Sequence, residues 1–222
     1  MNRKQYTQRE ETVNAATHGF GVLSGVVAGI WLLLKTCCCC GFWAISSVSV
    51  YIVCMLFSYI SSTLYHACRE GKRKMTLRKY DHIAIYFHIA GTYTFFTLTV
   101  FRNAAFWGWL IFFIVWITAL VGSYISFKGK KLGNRIETIC YVVMGLVVFV
   151  AFKPIIDTLY PIKAIDVLWY LLAGGMTYIL GALLYSFKKV PYIHSIFHLF
   201  VIGGSIFHIL AISVALDRLS SF

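Results

Sequence analysis

His194 and His198 stand four residues apart in the stretch His194-Ser195-Ile196-Phe197-His198. On a helix that spacing puts both imidazoles on one face, on consecutive turns. This is a sound geometry for two ligands of one metal ion. The pair opens an apolar run, Ile193 to Leu216, long enough to cross a bilayer. Ionisable side chains inside a membrane segment are costly and usually functional. Two other segment ends supply a further histidine, His66, and a carboxylate, Asp81. Ser62 precedes His66 by four residues and shares its helix face. Three neutral imidazoles with a fourth position left for water suit Zn²⁺. The expected ligands are therefore His66, His194 and His198. Asp81 is the expected partner of a water at the open position, and Ser62 a hydrogen-bond donor near the site or to a substrate oxygen. The competing reading is that these are polar residues satisfied inside a bundle or lining a water cavity. A lone H-x-x-x-H spacing does not choose between the two.

Composition says what kind of elements must position these residues. The 222 residues are 59% hydrophobic, 17% aromatic and only 13% charged, with a mean hydropathy of +0.77. A soluble domain would carry about 25% charged residues. The apolar content comes in blocks of the length that spans about 30 Å of hydrocarbon. Seven such spans are expected: Ala16 to Leu34, Phe42 to His66, Asp81 to Phe101, Ala104 to Phe127, Ile136 to Phe152, Val167 to Phe187, and Ile193 to Leu216. Short connections leave no room for a soluble domain, so residues 1–222 read as one all-α, seven-transmembrane bundle. The first span follows an amphipathic stretch and lacks a small-residue cleavage site, which argues against a separate signal peptide.

The net charge of +12 could point to nucleic acid, but its distribution does not. Fifteen of the twenty basic residues fall in the N-terminal tail and in the second, fourth and sixth connections. These include Arg3, Lys4, Lys130, Lys131, Lys188 and Lys189. The other face holds Lys35, Arg102, Lys153, Lys163 and Arg218. Such asymmetry is the positive-inside signal, so the N-terminus is expected in the cytoplasm and the C-terminus outside. Basic loops against anionic headgroups account for the charge without a nucleic-acid partner. The same topology puts His66, Asp81, His194 and His198 at one depth near the inner leaflet, although hydropathy alone defines the spans.

Ser62-Thr63-Leu64-Tyr65-His66, Tyr80-Asp81-His82 and His194-Ser195-Ile196-Phe197-His198 together resemble the progestin and adipoQ receptor family, and its bacterial hemolysin III branch above all. Glu11, Asn14, Thr17 and His18, and Ala90-Gly91-Thr92-Tyr93-Thr94, match that branch as well. The resemblance runs in order along nearly the whole chain. It implies seven helices, a cytoplasmic N-terminus, zinc held by the three histidines, and kinship with alkaline ceramidases, which look like membrane zinc amidohydrolases. One position departs from the pattern: Phe95 stands where the family often has proline, which bears on a local helix irregularity and not on the site.

The other histidines read differently. His208 lies ten residues beyond His198, about 15 Å along a helix, too far to share a mononuclear site. His88 is expected as a satisfied interior residue, and His82 points away from Asp81's face. His18 reads as packing rather than ligation, with Glu11 and Asn14 capping or gating the site. Cys37 to Cys40 lack metal-binding spacing and sit at the opposite end of the first span. Gly21, Gly25 and Gly29 form a small-residue face suited to close helix packing, within the chain or in a dimer; the oligomeric state is open. Four functions compete on this basis. The first is a zinc hydrolase acting on a lipid-like amide or ester from the surrounding membrane lipid. The second is a non-catalytic sensor or homeostasis protein braced by structural zinc. A pore-former ranks lower, because a seven-helix bundle has no evident insertion-competent soluble form. Bis-histidine haem also ranks lower, because three histidines and a carboxylate gather where haem needs only a pair.

Overall fold

The computed structural model describes residues 6–104, 106–128, 134–187 and 190–220. Arg3, Lys4, Lys130, Lys131, Lys188 and Lys189, which carry part of the charge asymmetry, lie outside the described residues. Among the described residues eight α-helices follow one another: α1 (Gln8–Cys39), α2 (Phe42–Ala67), α3 (Lys72–Phe95), α4 (Phe106–Phe127), α5 (Asn134–Gly145), α6 (Phe152–Leu159), α7 (Ile165–Tyr185) and α8 (Ile193–Ser220). A 3₁₀ stretch, Leu146–Ala151, joins α5 to α6, so these make one crossing. Seven helical segments are then long and apolar enough to cross a membrane, and no strand occurs among the described residues. The protein is a multi-pass membrane protein.

Two helices start well before the hydropathy signal does. α1 begins at Gln8, eight residues ahead of Ala16, behind a capping box. Thr7 Oγ1 accepts from the Glu10 N–H at 3.2 Å, and the Thr7 N–H donates to Glu10 Oε2 at 2.9 Å. α3 begins at Lys72, after Gly71 takes a φ of 149° that suits glycine. Asp81 is therefore nine residues inside α3 rather than at its start, about 13 Å along the axis. Hydropathy misses Lys72 to Tyr80 because lysine and arginine are good helix formers that simply do not favour lipid. The fifth crossing also runs past Phe152 to Leu159. Pro154 is the third residue of α6, where its missing N–H would have no intrahelical partner.

α3 is the central post. Two thirds of its most apolar stretch is buried (67%), against 17% for the fifth crossing, which lies at the periphery. α2 packs along α3, α1 along α2, and α7 along α8, while α1 also meets α8. The glycine face of α1 is used within the chain: Gly21 abuts Tyr59, Gly25 abuts Met55 and Leu56, and Gly29 abuts Ile52. The absence of a side chain matters most at Gly91 of α3, where a Cβ would lie 2.6 Å from Cys54 Cβ. Beyond Phe95 the helix widens into a π turn, Phe96–Val100, closed by the Phe101 N–H donating to Phe96 C=O at 2.8 Å. An irregularity thus exists here without the proline. Thr97 Oγ1 donates back to Tyr93 C=O at 2.8 Å, which occupies a carbonyl at the point of widening.

Candidate metal centre

The centre forms where α1 starts, α2 ends and α8 starts. Tyr192, just before α8, holds a positive φ of 56°, uncommon for a residue with a side chain. Its N–H donates to Glu10 Oε1 at 3.1 Å, which ties this bend to α1. The helix resumes at Ile193, so His194 and His198 occupy its first two turns. His66 arrives from the last turn of α2.

Ligand-capable nitrogens of His66, His194 and His198 all lie within 4.8 Å of one another. His66 Nε2 is 3.0 Å from His194 Nε2. Ring centroids are 4.4 Å apart for His194 and His198, 4.8 Å for His66 and His194, and 5.4 Å for His66 and His198. His66 and His198 are buried, and His194 is partly so.

The hydrogen bonds of two of these rings fix their tautomers. His66 Nδ1 lies 2.6 Å from Glu11 Oε2, a carboxylate that can only accept. His198 Nδ1 lies 3.2 Å from the Asn14 carbonyl oxygen, which also can only accept. Thr17 Oγ1 is 3.0 Å from the same Nδ1, and its own proton goes to a backbone carbonyl, Val13 at 3.0 Å or Asn14 at 2.9 Å. Each Nδ1 is therefore the donor. In the neutral ring Nε2 then carries the lone pair, free to bind a cation. His66 directs that lone pair at His194 across 3.0 Å, so either a cation or a shared proton must lie between them.

The donor set fits zinc. Two nitrogens on a tetrahedral zinc, each about 2.0–2.1 Å from the ion, stand about 3.3 Å apart. The His66–His194 pair is near that already, and the ligand atoms of all three residues lie within 4.8 Å of one another. Neutral imidazoles backed by carboxylate and carbonyl acceptors are the usual outer arrangement of such sites.

The other expected site residues are placed as follows. Ser62 is buried on the face of α2 between His66 and Tyr59, and its Oγ has no hydrogen-bond partner among the described residues. Asp81 is partly exposed and stands outside the three-histidine group. His18 stacks face to face on His198, with centroids 3.6 Å apart and planes 15° apart. Neither of its ring nitrogens has a hydrogen-bond partner among the described residues. Tyr6 stacks on His194 at 5.2 Å, and Tyr185 meets the same ring at 5.2 Å. Burial holds the Tyr6 hydroxyl neutral by pushing its pKa above the ordinary tyrosine value. His82 turns away to Glu137 of α5, 2.7 Å distant, and Ser126 also donates to Glu137. Cys37 and Cys38 are free thiols at the far end of α1.

Sequence reasoning undervalued Glu11 and counted Lys74 only as a loop charge. Lys74 Nζ is in fact buried and lies 2.8 Å from Glu11 Oε1. The i, i+3, i+7 spacing of Glu11, Asn14 and His18 was the available signal that one polar face of α1 points inward.

The family model for Haemolysin-III related proteins matches residues 6–209. The chain belongs to that family. It is 36% identical over 205 residues to Hemolysin-3 of Bacillus cereus, covering 92% of this chain and 91% of the relative. It is 38% identical over 200 residues to a Hemolysin-3 homolog of Bacillus subtilis (strain 168), covering 90% and 91%. A more distant similarity, 28% over 218 residues, links it to the human monocyte to macrophage differentiation factor, covering 95% of this chain and 86% of that protein. The hemolysin III membership expected from the motifs is borne out, and the match takes in every segment of the candidate centre from Tyr6 to His198.

Proposed function

We propose that this Haemolysin-III family member binds zinc through His66, His194 and His198 and uses it to hydrolyse a lipid-type amide or ester. The observation that carries the reading is the locking of His66 and His198 by acceptor-only partners, which aims their Nε2 lone pairs away from Glu11 and Asn14. Zinc at such a site supplies Lewis-acid activation of water and of a carbonyl oxygen. The chain supplies the rest. Ser62, buried and without a partner, can donate to a developing oxyanion. Asp81 can accept the proton given up during attack once substrate or a helix shift brings it to the site. Tyr6 and Tyr185 cover His194 and keep bulk water off the centre. Zinc analysis of the purified protein, paired with a screen of lipid amides and esters for hydrolysis, tests the proposal. Zinc-free protein would sink it. Zinc-loaded protein inert on every substrate would leave the second reading.

That second reading is a non-catalytic membrane sensor or homeostasis protein in which zinc braces α2 and α8. It is favoured by one observation: Asp81 stands outside the histidine group. Pore formation has less support, because α1, α2, α3, α7 and α8 are already committed to packing on one another.

The orientation in the membrane follows the charge asymmetry. A reporter fused after Phe222 should read as outside, and one inserted in the Arg69 to Lys79 segment as cytoplasmic. Reversed signals at both places would move the centre to the opposite leaflet.

A further inference from the structure

Glu11 makes two short contacts with opposite ends of its carboxylate. Oε2 meets His66 Nδ1 at 2.6 Å, and Oε1 meets Lys74 Nζ at 2.8 Å. Lys74 is buried, with 7% of its side chain exposed, and it also donates to the Cys68 carbonyl at 3.0 Å. Lysine is almost never buried unless paired, so this row of groups is held closely. It links α3 through α1 to the histidine that ends α2. The plain alternative is an ion pair that only fastens three helices together. One feature counts against that alternative: the carboxylate engages the ring nitrogen opposite the one that faces His194. The neighbouring Glu10 fastens a different pair of segments, α1 to the start of α8, by holding the Tyr192 N–H.

We propose that Glu11 is a positioning residue for the metal centre: it holds His66 in the Nδ1–H tautomer, fixes the ring's orientation and makes Nε2 a stronger donor, while Lys74 holds Glu11 in place. The proposal rests on the zinc reading given above. Thr17 does for His198 what Glu11 does for His66, but with a neutral hydroxyl, so its share is smaller.

The test uses full-length protein purified in detergent, with two readouts that need no turnover. Zinc affinity is measured by competition with a chromophoric chelator, and the ligand field is read from the visible spectrum after Co²⁺ substitution. Glu11→Gln should lower zinc affinity by about 10- to 100-fold, the usual effect of removing such a partner, and should shift the Co²⁺ bands. Glu10→Gln should lower thermal stability and leave both readouts unchanged. Glu11→Gln takes the nearest carboxylate from buried Lys74, leaving it the Cys68 carbonyl and Glu70 Oε1 at 3.8 Å, which weakens the fold. The double variant Glu11→Gln/Lys74→Met removes that charge and should show the same loss of affinity in a folded protein. Wild-type affinity and spectrum in the Glu11 variants would overturn the proposal. So would an equal loss in Glu10→Gln, because the effect would then be a general loosening of α1. His66→Ala separates the two levels of the argument. If it keeps full zinc, the metal reading itself fails. If it loses zinc while the Glu11 variants keep it, only the role of Glu11 fails.

Discussion

Two clusters of buried histidines and hydroxyls lie along the same helices, and they are built in opposite ways. In the first, His66, His194 and His198 converge, and the groups behind two of them can only accept hydrogen bonds. In the second, deeper in the bundle, His88 and His208 are separated by Tyr178 and Ser205. Ser205 Oγ accepts from the Tyr59 hydroxyl at 2.6 Å, sits 2.9 Å from the Tyr178 hydroxyl and donates to the Val201 carbonyl at 3.1 Å. His88 Nε2 is 3.4 Å from the same oxygen. His88 thus meets only a shared hydroxyl, and His208 Nδ1 has no hydrogen-bond partner among the described residues. Burial of histidine is common to both clusters and does not mark a metal site. What differs is the convergence of three ring-bearing residues and the carboxylate behind His66.

The largest expected effect breaks this comparison most directly. His66→Ala, His194→Ala and His198→Ala should each lose most of the bound zinc, since each removes one of the three proposed ligands. His88→Ala and His208→Ala should keep it. Elemental analysis of the purified variants reads the result. Zinc loss in His208→Ala with retention in His198→Ala would mean that the wrong cluster has been chosen.

Asp81→Asn comes next and sharpens what the first cluster is for. The substitution keeps the shape and removes the basic oxygen. Zinc content and fold should be retained, because in the proposed site three imidazoles hold the metal without Asp81. If the centre is hydrolytic, turnover should fall by roughly 10² to 10⁴-fold, the usual worth of general acid–base help. If zinc only braces the bundle, Asp81→Asn should leave function in cells intact while the histidine variants lose it. A direct bond from Asp81 to the metal in an experimental structure would favour bracing, because structural zinc is usually closed by four protein ligands.

The contrast also shows what the sequence could and could not reveal. Seven crossings and the meeting of His66, His194 and His198 were legible, because an apolar run of bilayer length is hard to place anywhere but in a membrane, and each histidine stands at the end of one. The starts of α2 at Phe42 and α8 at Ile193 agree with expectation to the residue. The starts of α1 and α3 do not, because Gln8 to Ala15 and Lys72 to Tyr80 are helical without being apolar. That difference reached the site. Glu11 lies in the first of those polar extensions and Lys74 in the second, and a one-dimensional pattern gives no sign that they meet at 2.8 Å. Glu137 was likewise invisible as the partner of His82, since 55 residues and an entire crossing separate them. Asp81 was placed from the end of an apolar run, whereas it lies nine residues inside α3 and is not one of the three residues whose ligand atoms converge.

Ser205→Ala should have the smallest effect, and it asks whether the two clusters are independent. Removing Oγ takes away the shared partner of the Tyr59 and Tyr178 hydroxyls, both of which are directed at that oxygen. A buried hydroxyl left unpaired costs about 1–3 kcal/mol. The two phenols can partly pair with one another, so the loss should lie near the low end, about 1 kcal/mol. A thermal melt in detergent would show it as a small fall in Tm. Zinc content should not change, because no ligand nitrogen depends on Ser205. Tyr59 offers a route by which it could: its ring lies 5.3 Å from His18, which stacks on His198. If Ser205→Ala loses zinc, that stack carries strain from one cluster to the other, and His18 couples them. If zinc stays and only Tm falls, the deeper cluster is packing, and the metal centre ends at His18.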